Sequence, residues 1–349
     1  MKLQLTKWTG ALALAAVLTA AAAPALAQTC APGAPQLIVY HAGSLTAAFS
    51  QVEKLYTQQT GVCVVDAAAG SVDAARQVTT GGKPADIYAS ADAEDIDVLL
   101  KPHGFAKYNI RFAEGAMVLA YTTASRQAAT IAAPGTFSPP DFVPDAAPDW
   151  HLQLTQPGVA IAGSHPFLDP SGYRADLIFQ LADLQYGVPN LYDILLSHYS
   201  ISKATDALGK TYDYQVIYEH SAFAAFNADA TKTYRYVRLP DRIGLSSDDL
   251  DRHYRKAFIT IPDLKPPHRE NPVRIHATRT TWGLTIMETA QNVDHAVAFL
   301  QLLFGSQGVS IQTTTGPKPI SPPVVSREDF RHLPRALRPL VAAQGRDDD

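Results

Sequence analysis

Two short stretches put a serine hydroxyl where a strand passes into a helix. In VYHAGSLTAAFS, residues 39–50, a β-branched and aromatic run ends at Gly43-Ser44 and a helical pattern follows. In Ala68-Ala69-Gly70-Ser71 a second Gly-Ser pair precedes a second helical pattern. The spacing predicts Ser44 and Ser71 at helix N-caps, each fed by a strand. Neighbouring parallel strands deliver their turns to one edge of the sheet, so two helix starts converge there. Each offers unpaired N–H groups, the positive end of a helix dipole and a hydroxyl donor. That is an anion site made without cationic side chains. The plainer alternative is that both serines cap helices and do nothing else.

The elements that must hold these turns follow from the pattern of apolar runs. Residues 37–41, 62–67 and 87–90 read as strands, and 46–58, 71–80 and 92–100 as the helices that alternate with them. Such alternation predicts a doubly wound α/β lobe with a parallel sheet. Residues 116–121 are a further apolar strand. Pro134, Pro139, Pro140, Pro144, Pro148 and Pro157 then interrupt helix and central strand alike, so residues 123–157 read as a long surface connection into a second lobe. Alternation resumes with a strand at 159–163, a helix at 172–185, a strand at 214–218, a short helix at 221–227 and a strand at 234–239. The charged residues 248–271 read as solvated helix and loop. A strand at 282–287 is expected to pair beside 116–121 and return the chain to the first lobe. Helices at 293–304 and 307–315 follow, the first with Val293, Val297, Leu300 and Phe304 on one stripe. The expected organisation is lobe 1 from residues 28–122 and 272–349 and lobe 2 from residues 123–271. The two form a hinged α/β clamshell, each lobe a mainly parallel sheet flanked by helices, with ligand in the cleft at the carboxyl ends of the strands.

Bulk properties narrow the chemistry. Residues 1–27 carry Lys2 and Lys7, an apolar run and Ala25-Leu26-Ala27, the form of a cleavable secretory signal peptide. Pro24 and the small residues at its end argue against a retained anchor, so the periplasm is the expected compartment. Without the two leader lysines, 27 of the 29 basic residues remain against 33 acidic ones, a net charge of −6. With no basic run there is no case for nucleic acid. A chain of that charge gains no long-range attraction for an anion, so affinity has to come from short, oriented hydrogen bonds in a closed cleft. The only cysteines, Cys30 and Cys63, precede and open two strands expected to be parallel neighbours, which favours a structural disulfide over free thiols. There is no Gly-x-Ser-x-Gly elbow, no His-Glu-x-x-His and no phosphate-cradling loop, so neither an enzyme nor a resident cofactor is expected. Tyr40, Tyr173, Tyr214 and Tyr218 near strand ends leave a ferric-ion binder as a minor option.

Six segments occur together in a telling order: HAGSL at 41–45, AGSVDAARQV at 69–78, PADIYASAD at 84–92, DPSGYR at 169–174, YEHSA at 218–222 and GLTI at 283–286. In order and spacing the chain resembles the periplasmic molybdate/tungstate-binding proteins of ABC importers, most of all their tungstate-type branch. The resemblance implies a type II periplasmic binding protein clamshell, a small inorganic oxyanion as ligand, an ABC permease in the inner membrane as partner, and a monomer. It also implies that Ser44 and Ser71 donate hydroxyl and backbone N–H bonds from the first lobe. Asp169 and Glu219 match the two carboxylates that, in the tungstate-type branch, approach the metal centre of the oxyanion and make it six-coordinate. Gly43 and Tyr173, inside the matched segments, complete the implied ligand-binding set.

A carboxylate facing a fully ionised oxyanion is repelled unless a proton or a metal centre lies between them. Sulfate offers neither, molybdate and tungstate offer a Lewis-acidic centre to hard oxygen ligands, and hydrogen phosphate offers a proton. Phosphate or another oxyanion is therefore the first rival, and a secreted hydrolase using Asp169 and Glu219 as acid and base the second. Taken singly, Asp169 before Pro170 is a common turn former or N-cap, and Glu219 ends an apolar strand where it could simply be solvated. The chain departs from the family pattern at Ser171, where Cys is usual, and at Tyr218-Glu219-His220, which replaces Phe-Glu-Tyr. His165 and His220 could enter the cleft and add a pH-sensitive donor.

Overall fold

Alternation along QLIVYHA sends Leu37, Val39 and His41 into the interior, and this first strand lies inside the largest sheet. In the computed structural model, residues 30–131, 149–202, 207–264 and 272–344 are described. The expected signal peptide, residues 132–148 of the proline-rich connection and the C-terminal tail lie outside the described residues. The strands are β1 (Gln36–Ala42), β2 (Cys63–Ala69), β3 (Ile87–Ser90), β4 (Ile110–Glu114), β5 (Met117–Thr122), β6 (Ile161–Gly163) and β7 (Tyr199–Ile201). They continue with β8 (Tyr214–Tyr218), β9 (Tyr234–Arg238), β10 (Phe258–Pro262), β11 (Pro272–His276), β12 (Thr281–Ile286), β13 (Lys318–Ser326) and β14 (Ala342–Gln344). Seven of them form one sheet in the order β14-β13-β4-β12-β3-β1-β2, five form a second in the order β7-β6-β8-β5-β9, and β10 with β11 makes a separate ribbon.

The two-lobe α/β plan is as expected, but the sheets are mixed rather than mainly parallel. β2, β1 and β3 run parallel, as do β7, β6 and β8, while β12 lies antiparallel to both β3 and β4 and β5 antiparallel to both β8 and β9. This corrects the expected pairing of residues 282–287 with 116–121. β12 pairs with β3 and β4 in the first sheet, whereas β5, expected in lobe 1, is a central strand of the second. The chain crosses between sheets at Gly115, not beyond residue 122. A run buried at every position, as Met117–Thr122 nearly is, fits the middle of any sheet, so its pattern does not name its partners. Its two faces serve different clusters. Met117, Leu119 and Tyr121 join the large core, and Val118 and Ala120 pack with Leu208, Ala222, Tyr234 and Tyr236.

Other boundaries moved for local reasons. The helix expected at 172–185 runs Pro170–Tyr186, with Asp169 as N-cap and proline at the first turn where its missing N–H costs nothing. The short helix expected at 221–227 starts at Glu219, and the one expected at 92–100 is α-helical only over Ala93–Asp95 before a wider turn, Ile96–Leu100. Within the charged residues 248–271 the expected solvated helix is present at Asp251–Tyr254, but Ile259 and Ile261 are buried in β10, paired with β11. On the helix Val293–Phe304 the buried stripe is Ala296, Phe299, Leu300, Leu303 and Phe304, and Val293 is 44% exposed, so the face is turned from the expected one. No described helix is long and apolar enough to cross a membrane.

Cys30 and Cys63 form the expected disulfide, with Cα atoms 5.7 Å apart, clamping the segment before β1 to the start of β2. The bridge closes a loop of 33 residues, and the loss of chain entropy in the unfolded state for such a loop is ~3–4 kcal/mol. Replacing both cysteines by serine lowers the unfolding free energy by about that amount in urea titration, without changing the β1–β2 register.

Candidate functional site

β1 and β2 pair in parallel with Ala42 opposite Ala69, so Ser44 and Ser71 each stand two residues past a matched position, at one edge of the sheet. Ser44 occupies a tight turn, Gly43–Leu45, that leads into the helix Thr46–Thr60. Ser71 is the first residue of the helix Ser71–Val78, behind Gly70. Neither serine caps a helix through its side chain, contrary to expectation. Instead, Ser44 Oγ accepts a hydrogen bond from Trp282 Nε1 at 3.0 Å, and Ser71 Oγ accepts one from the Ala91 N–H at 2.9 Å. The Ser71 carbonyl also accepts from the Tyr88 hydroxyl at 2.8 Å, which fixes the residue, and Ser71 is fully buried. Each hydroxyl thus has a lone pair held by a fixed N–H, and among the described residues no acceptor takes its hydrogen. Two O–H donors are left over beside two helix starts.

The second lobe closes directly on these turns. A Cβ on Gly70 would collide with the Leu168 carbonyl oxygen and come within 3.1 Å of Asp169 Cβ, so only glycine allows the approach. The Asp73 N–H donates to the Leu168 carbonyl at 3.1 Å, and the Arg76 guanidinium donates to the Phe167 carbonyl at 2.9 Å. On the other turn, His220 Nε2 donates to the Ser44 carbonyl at 3.0 Å, and the His220 ring meets Trp282 edge-on at 5.3 Å. Between these contacts runs a buried polar network. Arg174, 1% exposed, donates to the Ala91 carbonyl at 2.6 Å and to the Tyr218 hydroxyl at 3.0 Å, and pairs with Asp92 at 3.1 Å. The Tyr173 hydroxyl donates to Asp92 at 2.7 Å and lies 3.2 Å from Asp95, which accepts from Ser90 Oγ at 2.8 Å.

Burial dominates the protonation of this network. It drives the Asp95 carboxyl well above the usual carboxylate range, and neighbouring Asp92 pushes in the same direction. For Arg174 burial works against the charge, but Asp92 and then the Tyr218 and Tyr173 hydroxyls more than offset it. Burial alone drives His220 down to about 4, with only the Ser44 carbonyl acting the other way. His220 is therefore neutral, with Nε2 carrying the hydrogen that the Ser44 carbonyl accepts.

The expected site residues divide accordingly. Ser44, Ser71, Asp169 and His220 meet at the seam between the lobes. Asp169 caps its helix, Oδ1 accepting from the Ser171 N–H at 3.0 Å, and its charge acts on the Tyr218 hydroxyl. Glu219 stands next to His220 with Oε1 accepting from Arg238 Nε at 2.6 Å. Gly43 opens the Ser44 turn with nothing near its Cβ position. Tyr173, expected among the ligand contacts, has its hydroxyl committed to Asp92 and Asp95. His165 Nδ1 accepts from the Phe167 N–H at 3.1 Å and shapes its own loop. The tyrosines considered for ferric ion do not converge, since the Tyr214 hydroxyl donates to the Arg126 carbonyl while Tyr173 and Tyr218 belong to the Arg174 network. Sequence reasoning missed Arg174, Asp92 and Trp282, although all three lie within or beside the quoted segments. The available signal was an arginine in DPSGYR and an aspartate in PADIYASAD, opposite charges in two apolar contexts.

Residues 37–316 match the family of bacterial extracellular solute-binding proteins. The chain is 31% identical to an uncharacterised solute-binding protein of Petrotoga mobilis over 297 residues, covering 82% of this chain and 85% of that one. It is 30% identical to the molybdate/tungstate-binding protein WtpA of Pyrococcus abyssi over 339 residues, 88% of this chain and 90% of that one. The fold is also that of the periplasmic molybdate-binding protein of Azotobacter vinelandii, with a TM-score of 0.51 at 16% identity over 80% of this chain and 98% of that one. With two lobes meeting at paired Gly-Ser turns and a family match over most of its length, the chain belongs to the bacterial extracellular solute-binding proteins.

Proposed function

We propose that this solute-binding protein captures molybdate or tungstate in the seam between its lobes, outside the cytoplasm, and delivers it to an ABC permease. The observation that carries the reading is the state of Ser44 and Ser71. Both hydroxyl oxygens are held by N–H donors of the first lobe and both hydrogens remain to be donated, at adjacent helix starts. A multiply charged oxyanion is the ligand that such a donor set suits. Arg174 adds no free charge, because Asp92 neutralises it. Asp169 on the closing lobe would repel a bare sulfate, whereas the metal centre of tungstate or molybdate accepts carboxylate oxygens, and Glu219 would have to leave Arg238 to join it. The relative of Pyrococcus abyssi, alike over nearly its whole length, supports the same ligand class. No observation favours acid–base chemistry at Asp169 and Glu219, which cap a helix and pair with Arg238 respectively.

Titration calorimetry with tungstate, molybdate, sulfate and phosphate tests the assignment. Tungstate and molybdate bind one per chain, and at a hundredfold over the dissociation constant they stabilise the protein by ~2.7 kcal/mol in thermal unfolding. Absence of binding by both would overturn the reading. Ser44→Ala and Ser71→Ala each weaken tungstate binding by roughly ten- to a hundredfold, the worth of ~1.5–3 kcal/mol for a hydrogen bond to a charged group.

Closure also carries a pH dependence. Above about 6.5 His220 is neutral whether buried or released, so it adds no slope. Between about 6.5 and 4 the released ring takes up a proton that the buried ring refuses, so closure weakens as pH falls through this window and levels off below it. Tungstate affinity measured from pH 7.5 to 4.5 therefore falls in the wild type by more than in His220→Gln, whose amide keeps a donor for the Ser44 carbonyl but does not titrate. Equal slopes in the two proteins would remove His220 from closure.

A further inference from the structure

Three residues before Ser44, on the inward face of β1, His41 is fully buried against Phe49, with ring centroids 5.1 Å apart. Glu53 reaches it from the helix Thr46–Thr60 and Asp66 from β2, and one ligand atom from each of the three lies within 4.8 Å of the other two. The cluster sits beneath the first helix, on the sheet side, and shares no residue with the interlobe seam.

Its hydrogen bonding is incomplete in a specific way. His41 Nδ1 is 2.7 Å from the Ala42 carbonyl and donates to it, so Nε2 is the free ring position. Asp66 Oδ1 lies only 2.7 Å from Nε2, an ion pair when the ring is charged, and neither atom has a further hydrogen-bond partner among the described residues. Glu53 Oε1 is buried and has no partner either, although the residue is 5% exposed. Three polar atoms drawn this close in the interior are an expensive arrangement unless a positive charge lies among them. Two ligands of a tetrahedral zinc at ~2.1 Å stand ~3.4 Å apart, so the 2.7 Å pair opens by ~0.7 Å to admit the cation. A backbone carbonyl on the other ring nitrogen is the usual second contact of a metal-bound histidine, because it fixes the tautomer and leaves the ligating lone pair pointing inward.

We infer that His41, Glu53 and Asp66 form a binding site for a divalent transition-metal cation of the zinc class. One imidazole nitrogen with carboxylate oxygens suits zinc better than calcium or magnesium, which prefer all-oxygen sets. Asp66, with its side chain 26% exposed, marks the open side where water completes the coordination. The bound cation ties β1, β2 and the first helix together directly beneath the Ser44 turn. This inference does not rest on the oxyanion reading, and its test is independent of it.

The purified full-length mature chain, treated with EDTA and desalted, is titrated with zinc chloride by calorimetry, and its metal content is measured after dialysis. One zinc per chain binds with a dissociation constant of micromolar or below and raises the melting temperature. Asp66→Asn and Glu53→Gln each weaken zinc binding at least tenfold, while tungstate affinity is unchanged in Asp66→Asn. Cobalt chloride added to the apo wild type gives the visible d–d bands of a low-coordinate nitrogen and oxygen site, a readout that needs no variant to fold. Failure to retain zinc, or wild-type affinity in both variants, would overturn the site and leave an imidazolium between two carboxylates as the better account.

Discussion

The buried pair between Arg174 and Asp92 is the constraint around which the two lobes are arranged. Arg174 enters from the second-lobe helix Pro170–Tyr186 and Asp92 follows β3 of the first sheet, so the ion pair forms only when the lobes are together, the Glu94 N–H being the contact Asp92 keeps within its own lobe. Stranding one member of such a pair costs ~3–5 kcal/mol, and the Ala91 carbonyl, the Tyr218 hydroxyl and the Tyr173 hydroxyl fill the remaining positions. The same Ala91 residue donates its N–H to Ser71 Oγ, so the contact that holds the lobes also sets the hydroxyl proposed to face the ligand. Closure and ligand orientation are one network.

On the proposed reading, that coupling is how a chain with excess negative charge would hold an anion. Long-range attraction is absent, Arg174 is matched by Asp92 and Arg76 is held by the Phe167 and Pro262 carbonyls, so binding of the proposed anion would fall to short bonds from hydroxyls and first-turn amides. Those donors are fixed before the ligand arrives: Trp282 holds Ser44, Ala91 holds Ser71, and glycine at position 70 lets the Leu168 loop come close enough to exclude water. Preorganised donors cost little further entropy on binding.

How much of this was legible in the sequence depended on whether the signal was local. The Gly-Ser turns, the strand–helix alternation around them and the cysteine pair are short-range patterns, and they led to the right sheet edge, the right two-lobe plan and the right disulfide. Pairing of β5 and β12 was not local: both are apolar, and β12 joins β3 and β4 while β5 joins β8 and β9, partners far from each in the chain. The roles of the serines were half legible, since a residue at a helix start looks like a cap whether its oxygen serves its own helix or a neighbouring strand. Arg174 was missed because charge in a helix usually means solvent, and its buried partner lies far away in the chain. The His41, Glu53 and Asp66 cluster was invisible for the same reason, as three elements bring it together.

The central claim is that the undonated hydrogens of Ser44 and Ser71 mark where the ligand sits. Anomalous diffraction at the tungsten edge from crystals grown with tungstate locates the metal directly. The account predicts one strong peak at the seam, with oxygens of the anion ~2.7–2.9 Å from both serine Oγ atoms and the Asp169 carboxylate turned toward the metal. A peak elsewhere, with both serines unchanged, would contradict it.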